Sequence, residues 1–372
     1  MRTRRLAQAT VTAIGGGDVC LPLSASRGVP ARDVEHALHE AISFGITLFD
    51  VAAHADSEKL AGDAVRAARA RDRVVIATRV PLLDERPGAP RRDPLPERLP
   101  MPYVQDRIEA ALRATRLDAL PLAQLPLRPA WRASSAWPEL VGTCARLVRE
   151  GKVLAWGAWL DEPVATDEPR DATRGGVNGP ASPGQRGRES PLLIDEDAVR
   201  ALLAEPWLAA ASVVYHLCDR RAAPVLAAAA APRELCVLAR QPLAGGALTG
   251  VLGPGVRLSP RDDRNELDAR TLERIAIGVA RLAAQVQREP PAVRSCEAAR
   301  AAAERAAHTA PAHRECRDVA ELALRFAIDR AGVALPRLHR RDHLIPAIAA
   351  AAARPLPADL AAEIERIFDG TG

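Results

Sequence analysis

The sequence predicts a parallel α/β protein closed into a (β/α)8 TIM barrel, and three observations predict it. Short runs of β-branched and aliphatic residues alternate with amphipathic stretches of helical period, joined by short turns. About eight such strand–helix units follow one another along the chain, and eight favour a closed barrel over an open sheet. The first strand does not lead into a GxGxxG helix start, which counts against an open dinucleotide-binding sheet. The expectation is a single barrel domain over residues 1–372, carrying insertions at 161–191 and 289–317.

Taken in order, residues 6–17 read as a short strand running into Gly15, Gly16 and Gly17, where a glycine run either lets the backbone approach a cofactor or substrate closely or marks a turn. Residues 32–44 form an amphipathic helix with Val34, Ala37, Leu38, Ala41 and Ile42 on one face, ended by Gly45. The strand 46–50 ends in Asp50. A helix over 57–70 turns Leu60, Ala61, Ala64 and Val65 inward, and the β-branched strand 74–78 leads to Arg79. In a parallel barrel the carboxyl ends of the strands carry the chemistry, so Asp50 and Arg79 stand where a site is expected.

A Pro- and Arg-rich loop over 83–102, a helix over 104–115 and a strand over 119–125 come next, Pro121 marking the start of that strand. Helix 137–149 and strand 153–158 follow. Residues 161–191 are polar, rich in Pro, Gly and Arg, and without periodicity, so they read as a disordered surface insertion. The rhythm then resumes with helix 195–203, strand 211–217, helix 221–230, strand 235–239, a glycine-containing loop 244–255 and a long helix 267–287. After the second insertion come helix 319–328, strand 332–335 and closing helices 344–352 and 357–368.

Composition narrows the function classes. Hydrophobic residues make up 48% but aromatics only 3%, so alanine and aliphatic side chains must fill the core. Lys+Arg of 51 against Asp+Glu of 47 is nearly balanced, and a nucleic-acid partner is not implied. Lysine stands only at 59 and 152, so an arginine in place of a lysine is a weaker functional signal here than usual. The six cysteines have no CxxC spacing and read as isolated buried thiols, with no metal site. Residues 1–15 carry no secretory signal, and no apolar run reaches the ~18 residues of a membrane span. A cytoplasmic protein with no membrane partner is expected.

Several segments together resemble the aldo-keto reductase family. They are GITLFDVA and SEKLAG, RDRVVIATRV, LVREGKVLAWGAW, YHLCDRR, ARQPLAGGALTG, VAELALRFAIDRAGV and the closing LPADLAAEIERI. Their order and spacing carry the resemblance, and it spans nearly the whole chain. It implies a TIM barrel of aldo-keto reductase type that transfers hydride from NADP(H) to a carbonyl without metal. It also implies four catalytic positions: a tyrosine proton donor, a lysine that lowers its pKa, an aspartate that pairs with the lysine, and a histidine that orients the substrate.

On those positions the chain keeps only the aspartate, Asp50. Ala55 stands at the tyrosine, Arg79 at the lysine and Pro126 at the histidine. Arginine is a poor pKa partner in place of an ammonium, and proline has no side-chain donor or acceptor. His54, beside Ala55, is the nearest titratable substitute. An Asp50–Arg79 ion pair inside the barrel mouth is expected, and Asp50→Ala is expected to destabilise the fold by stranding Arg79.

The resemblance also implies a set of cofactor-binding positions, here Trp159, Tyr215, Arg240, Gln241, Leu243, Gly246, Leu248, Arg340 and His343. Trp159 replaces the serine that holds the carboxamide, and would either stack on a flat ring or fill the pocket. Gln241 replaces another serine, while Leu243, Gly246 and Leu248 keep the pattern of a phosphate loop. Arg340 and His343 lie in a basic cluster that has lost the family's glycine and glutamine; it reads equally as a phosphate clamp or a solvated face. The functional expectation is a barrel that has lost standard carbonyl reduction and acts as a noncatalytic binding or regulatory protein, a pseudoenzyme. Its partner would be a protein or a small molecule, with NADP(H) as cofactor if any. The alternative is a divergent NAD(P)H-dependent oxidoreductase that reduces a small aldehyde or ketone with His54 or water as proton source.

Overall fold

Eight parallel strands form the barrel: β3 (Gly16–Val19), β4 (Leu48–Val51), β5 (Val75–Arg79), β6 (Leu122–Pro126), β7 (Trp156–Leu160), β8 (Leu208–Val214), β9 (Cys236–Arg240) and β10 (Gly332–Leu335), each bonded to the next. They come from a computed structural model that describes residues 1–83, 94–160, 195–230, 235–253, 255–260, 262–266, 269–286 and 314–369. Residues 161–191 and most of 289–317 lie outside the described residues, so neither expected insertion has a structure to report.

The chain begins with a hairpin, β1 (Thr3–Leu6) and β2 (Ala9–Thr12), rather than one strand over 6–17. The hairpin closes the barrel floor: Leu6 and Val11 cluster with Leu48, Val75, Leu122, Ala210, Cys236 and Val333, which form the barrel interior. The glycine run then becomes the barrel seam. The Gly15 amide bonds the Ala334 carbonyl at 2.9 Å and the Gly17 amide bonds the Pro336 carbonyl at 2.7 Å. A Cβ on Gly17 would lie 2.1 Å from the Leu335 carbonyl oxygen, so only glycine lets the first and last strands meet. The close approach seen here is of strand to strand, a use of the glycine run that neither reading of the sequence anticipated.

Helices cover the outside: α1 (Leu21–Ser26), α2 (Ala31–Ser43), α3 (Ala55–Ala67), α4 (Leu95–Arg98), α5 (Met101–Thr115), α6 (Trp137–Arg149), α7 (Glu196–Leu203), α8 (Ala223–Ala230), α9 (Ala269–Gln285), α10 (Arg314–Ala331), α11 (Leu344–Ala352) and α12 (Ala358–Ile367). Their apolar faces meet the outward side chains of the strands. On β6, β7 and β8 these are Ala123, Leu125, Trp156, Ala158, Ala211 and Val213, which cluster with Leu140, Leu147, Val199 and Leu202 of the helices. The inward set, one residue out of phase, is what reaches the mouth. In SEKLAG, Ser57 is buried and its hydroxyl accepts from the Leu21 amide at 3.0 Å. Gly62 lets α3 touch α5, where a Cβ would lie 2.0 Å from the Thr115 carbonyl oxygen. Among the described residues no helix is long and apolar enough to cross a membrane.

Candidate functional site

The inward residues at the carboxyl ends of the strands build one connected cluster. Register sets it up: Gln124 pairs with Arg79 on one side and Gly157 on the other, and Trp159 pairs with Pro126 and Ser212. Arg240 ends β9 opposite Leu335, and Arg337 follows β10.

Asp50 is 1% exposed. Gln124 donates from Nε2 to its Oδ1 at 3.0 Å, and Arg79 Nη2 stands 3.7 Å from its Oδ2. The expected Asp50–Arg79 pair is therefore present, but it is not the shorter contact of Arg79. Arg79 Nη2 donates to Asp18 Oδ1 at 2.7 Å, and Arg337 Nη2 donates to Asp18 Oδ2. Asp18 thus bridges two guanidinium groups across the seam. This corrects the expectation that removing Asp50 strands Arg79, because Asp18 holds it independently.

The two carboxylates sit in opposite electrostatic states. Burial pushes the Asp50 carboxyl above the ordinary range; Arg79 pulls it back, Asp18 raises it further, and Arg240 and the Gln124 hydrogen bond oppose the rise. At Asp18 burial also raises, but Arg79 and Arg337, by charge and by hydrogen bond, outweigh it and hold the carboxyl below the ordinary range. The first proton taken up by this cluster goes to Asp50.

Trp159 occupies the centre of the mouth. The Arg79 guanidinium carbon lies 4.1 Å from its ring centroid and that of Arg240 lies 3.5 Å away, both in cation–π contact. Arg240 also donates from Nη2 to the Leu160 carbonyl at 3.0 Å. Beneath this layer, Asp50 Oδ2, Gln124 Oε1 and Ser212 Oγ are buried without a hydrogen-bond partner.

The remaining sequence-selected residues do not all join them. Ala55 is the exposed first residue of α3, and His54 is the residue that precedes the helix. The charge of His54 acts on Glu58, which is buried and 3.6 Å from Arg107 Nη2; burial raises the Glu58 carboxyl, and Arg107 and His54 oppose it. The groups acting on Asp50 are Arg79, Asp18, Arg240 and Gln124. Tyr215 packs on the outer side, with its ring 6.2 Å from Phe326 of α10 and inclined by 9°. Period two explains it: Tyr215 shares the outward phase of Ala211 and Val213. Its neighbour His216 is buried and accepts on Nδ1 from the Asp219 amide. Burial holds that imidazole down to about 4.

The loop after β9 keeps its glycines in left-handed backbone, with φ of 66° at Gly245 and 105° at Gly246. Gln241 is exposed, Leu243 half-buried and Leu248 buried. The guanidinium of Arg264 lies over the glycines, 3.7 Å from where a Gly246 Cβ would stand, and it is paired with Asp262. In the basic cluster, Arg340 pairs with Asp342, Arg341 with Glu40, and His343 Nδ1 contacts the Arg337 carbonyl at 3.0 Å. Burial, ahead of the neighbouring charges, keeps His339 and His343 neutral, His339 strongly so.

Sequence reasoning missed Asp18, Gln124 and Glu58, and placed Arg337 only in the basic cluster, not on Asp18. A signal existed for Gln124 and Glu58, each a polar side chain at a position the strand or helix period buries. Among the described residues, no group of three or more His, Cys, Asp or Glu is placed to hold a metal ion.

The sequence pattern of the Aldo/keto reductase family matches residues 15–158 and 197–369. The chain belongs to the aldo/keto reductase family. No curated protein matches it. Among solved structures it is similar to a glycerol dehydrogenase from Gluconobacter oxydans, with 16% identity, a TM-score of 0.66, and coverage of 98% of this chain and 94% of that one. It is also similar to an aldo/keto reductase from Klebsiella pneumoniae in complex with NADP and acetate, with 20% identity, a TM-score of 0.59 and coverage of 98% and 95%. A Klebsiella pneumoniae aldo-keto reductase in complex with NADPH gives 21% identity, a TM-score of 0.57 and coverage of 99% and 95%. These likenesses confirm the barrel, and NADP(H) is the cofactor bound in the Klebsiella structures.

The residues of this chain fit such a dinucleotide at one end and not at the other. The glycine loop keeps the left-handed backbone and the nearby guanidinium of Arg264 that a phosphate could meet, although Arg264 is already paired with Asp262. The mouth does not suit a flat ring, because Trp159 and the guanidinium groups on it fill the layer such a ring needs.

Proposed function

We propose that this barrel has lost the carbonyl-reducing chemistry of its family and works as a noncatalytic binding or regulatory protein. One observation carries the reading. The cation that stands beside Asp50 is an arginine shared with a second carboxylate, Asp18, and stacked on Trp159. A cation in that arrangement neutralises and braces; it does not tune a neighbouring proton donor, and the position of that donor is an exposed alanine. Fold alone does not preserve chemistry, since the site decides. The ligand class left open to the mouth is a small anion or a protein segment presenting a carboxylate, because three guanidinium groups face two carboxylates there.

The test is steady-state turnover of NADPH and NADH with a panel of small aldehydes and ketones. The expected result is no oxidation above the protein-free rate. A kcat/KM above about 10⁴ M⁻¹ s⁻¹, the lower edge of ordinary enzymes, overturns the reading.

A second reading, a divergent NAD(P)H-dependent oxidoreductase, is favoured by a single feature: Nδ1 of His54 is buried without a hydrogen-bond partner. If His54 supplies the proton, any turnover found in that panel falls in His54→Ala. Unchanged turnover in that variant removes His54 and leaves water as the proton source.

A further inference from the structure

The mouth of the barrel is closed by its own side chains. Trp159 is 7% exposed although it lies at a strand end where a barrel is normally open. Guanidinium carbons stand 4.1 Å and 3.5 Å from its ring centroid. A planar ligand would need that same stacking layer, about 3.5 Å above an aromatic face. Both covering groups are anchored: Arg79 on Asp18 at 2.7 Å, and Arg240 on the Leu160 carbonyl at 3.0 Å.

What lies around the indole suits a ligand better than the indole does. Ser212 is paired in register with Trp159, and its buried Oγ has no hydrogen-bond partner. Gln124, one inward position deeper, has a buried Oε1 in the same condition. Gly157 between them adds no side chain. A hydroxyl and an amide carbonyl together offer a donor and an acceptor, which is what a carboxamide requires.

We infer that Trp159 is the specificity-determining residue of the mouth: its indole occupies the space of a planar carboxamide-bearing ring and excludes a nicotinamide. This rests on the noncatalytic reading above, and it adds the cause of the exclusion. With the indole removed, the floor of the mouth is Ser212 and Gln124, and its walls keep Arg79 and Arg240. That pocket is polar, positively charged and wide enough for the ring that the indole replaced.

Isothermal titration calorimetry on the full chain tests this with NADPH, NADH and, as a probe without the nicotinamide, ADP. Circular dichroism of each variant checks its fold. The wild type is expected to bind NADPH more weakly than about 1 mM, and Trp159→Ser to bind it at least about tenfold more tightly. ADP affinity is expected to change by less than about twofold, because ADP lacks the ring.

Equal NADPH affinity in wild type and Trp159→Ser overturns the inference, and so does an equal gain for ADP, which signals a general loosening. Neither result bears on the noncatalytic reading, which is judged by turnover. If Trp159→Ser does not fold, Trp159→Val takes its place: it also removes the indole but keeps a β-branched strand residue, and the same gain of NADPH over ADP is expected. No gain there also overturns the inference.

Discussion

Asp18→Asn is expected to destabilise the barrel more than Asp50→Asn, although Asp50 is the deeper residue. Asp18 accepts from two arginines whose side chains are 19% and 13% exposed, while its own side chain is 39% exposed. Breaking a fully buried ion pair costs about 3–5 kcal/mol, and losing an exposed one about 0–1 kcal/mol. The half-exposed bridge lies between these, so Asp18→Asn is expected to cost about 2 kcal/mol.

Asp50 differs because burial already disfavours its charge. An asparagine there keeps an oxygen for the Gln124 amide and removes the charge, while Arg79 stays on Asp18. Asp50→Asn is expected to lie within about 1 kcal/mol of wild type. Urea unfolding followed by circular dichroism at pH 7.5 measures both. With m near 3 kcal/mol/M, the Asp18→Asn midpoint falls by about 0.7 M at unchanged m.

The two variants also differ in pH dependence. The depressed Asp18 carboxyl contributes stability that is present above its unfolded value near 3.9 and lost as pH falls through its lower folded value. The gap between wild type and Asp18→Asn therefore holds through neutral pH and closes only in acid. The raised Asp50 carboxyl costs stability as pH climbs through its folded value. Asp50→Asn thus gains on the wild type as pH rises. A larger loss in Asp50→Asn than in Asp18→Asn would refute the bridge argument and restore Asp50 as the chief partner of Arg79.

Two further predictions come from elements outside the mouth. Burial holds the His216 imidazole to about 4, so the unfolded chain takes up a proton near pH 6.5 that the folded chain refuses until about 4. Stability therefore falls as pH drops between those values, by up to about 1.4 kcal/mol per pH unit from this group. His216→Asn, whose amide oxygen still accepts from the Asp219 amide, is expected to flatten the slope of melting temperature against pH; an unchanged slope discounts His216. Gly62→Ala drives a methyl to 2.0 Å from the Thr115 carbonyl oxygen and is expected to cost about 3 kcal/mol or more in urea unfolding. Gly142→Ala in α6, where a Cβ meets nothing within 4 Å, is expected to stabilise by about 0.5–1 kcal/mol. If the two glycines respond alike, helix propensity and not the α3–α5 contact governs position 62.

What could be read from the chain alone depended on whether the relevant neighbours were local. Strand 46–50 and its Asp50, the β-branched strand ending at Arg79, and helix 344–352 follow from periodicity within a dozen residues, and each stands close to where that periodicity put it. The phase of a strand end is harder, because one residue decides between barrel and helices. Tyr215 falls on the outer phase and stacks on Phe326, whereas Trp159 and Arg240 fall on the inner one. Asp18 was illegible for another reason: its partner Arg337 is 319 residues away and becomes a neighbour only when the last strand closes on the first.

The same closure explains why the mouth resists interpretation by matching positions. Each departure from the residues that the resemblance implies looks like a loss when taken alone: Arg79 for a lysine, Trp159 for a serine, Pro126 for a histidine. Folded, two of the three form a single arrangement with Asp18 and Arg240, in which Arg79 is paired and the aromatic face is covered. Here Arg79 and Arg337 share Asp18, while Arg264 has Asp262 and Arg341 has Glu40. Whatever the mouth recognises must compete with those internal contacts, and an anion gains there from the guanidinium group in excess of the two carboxylates.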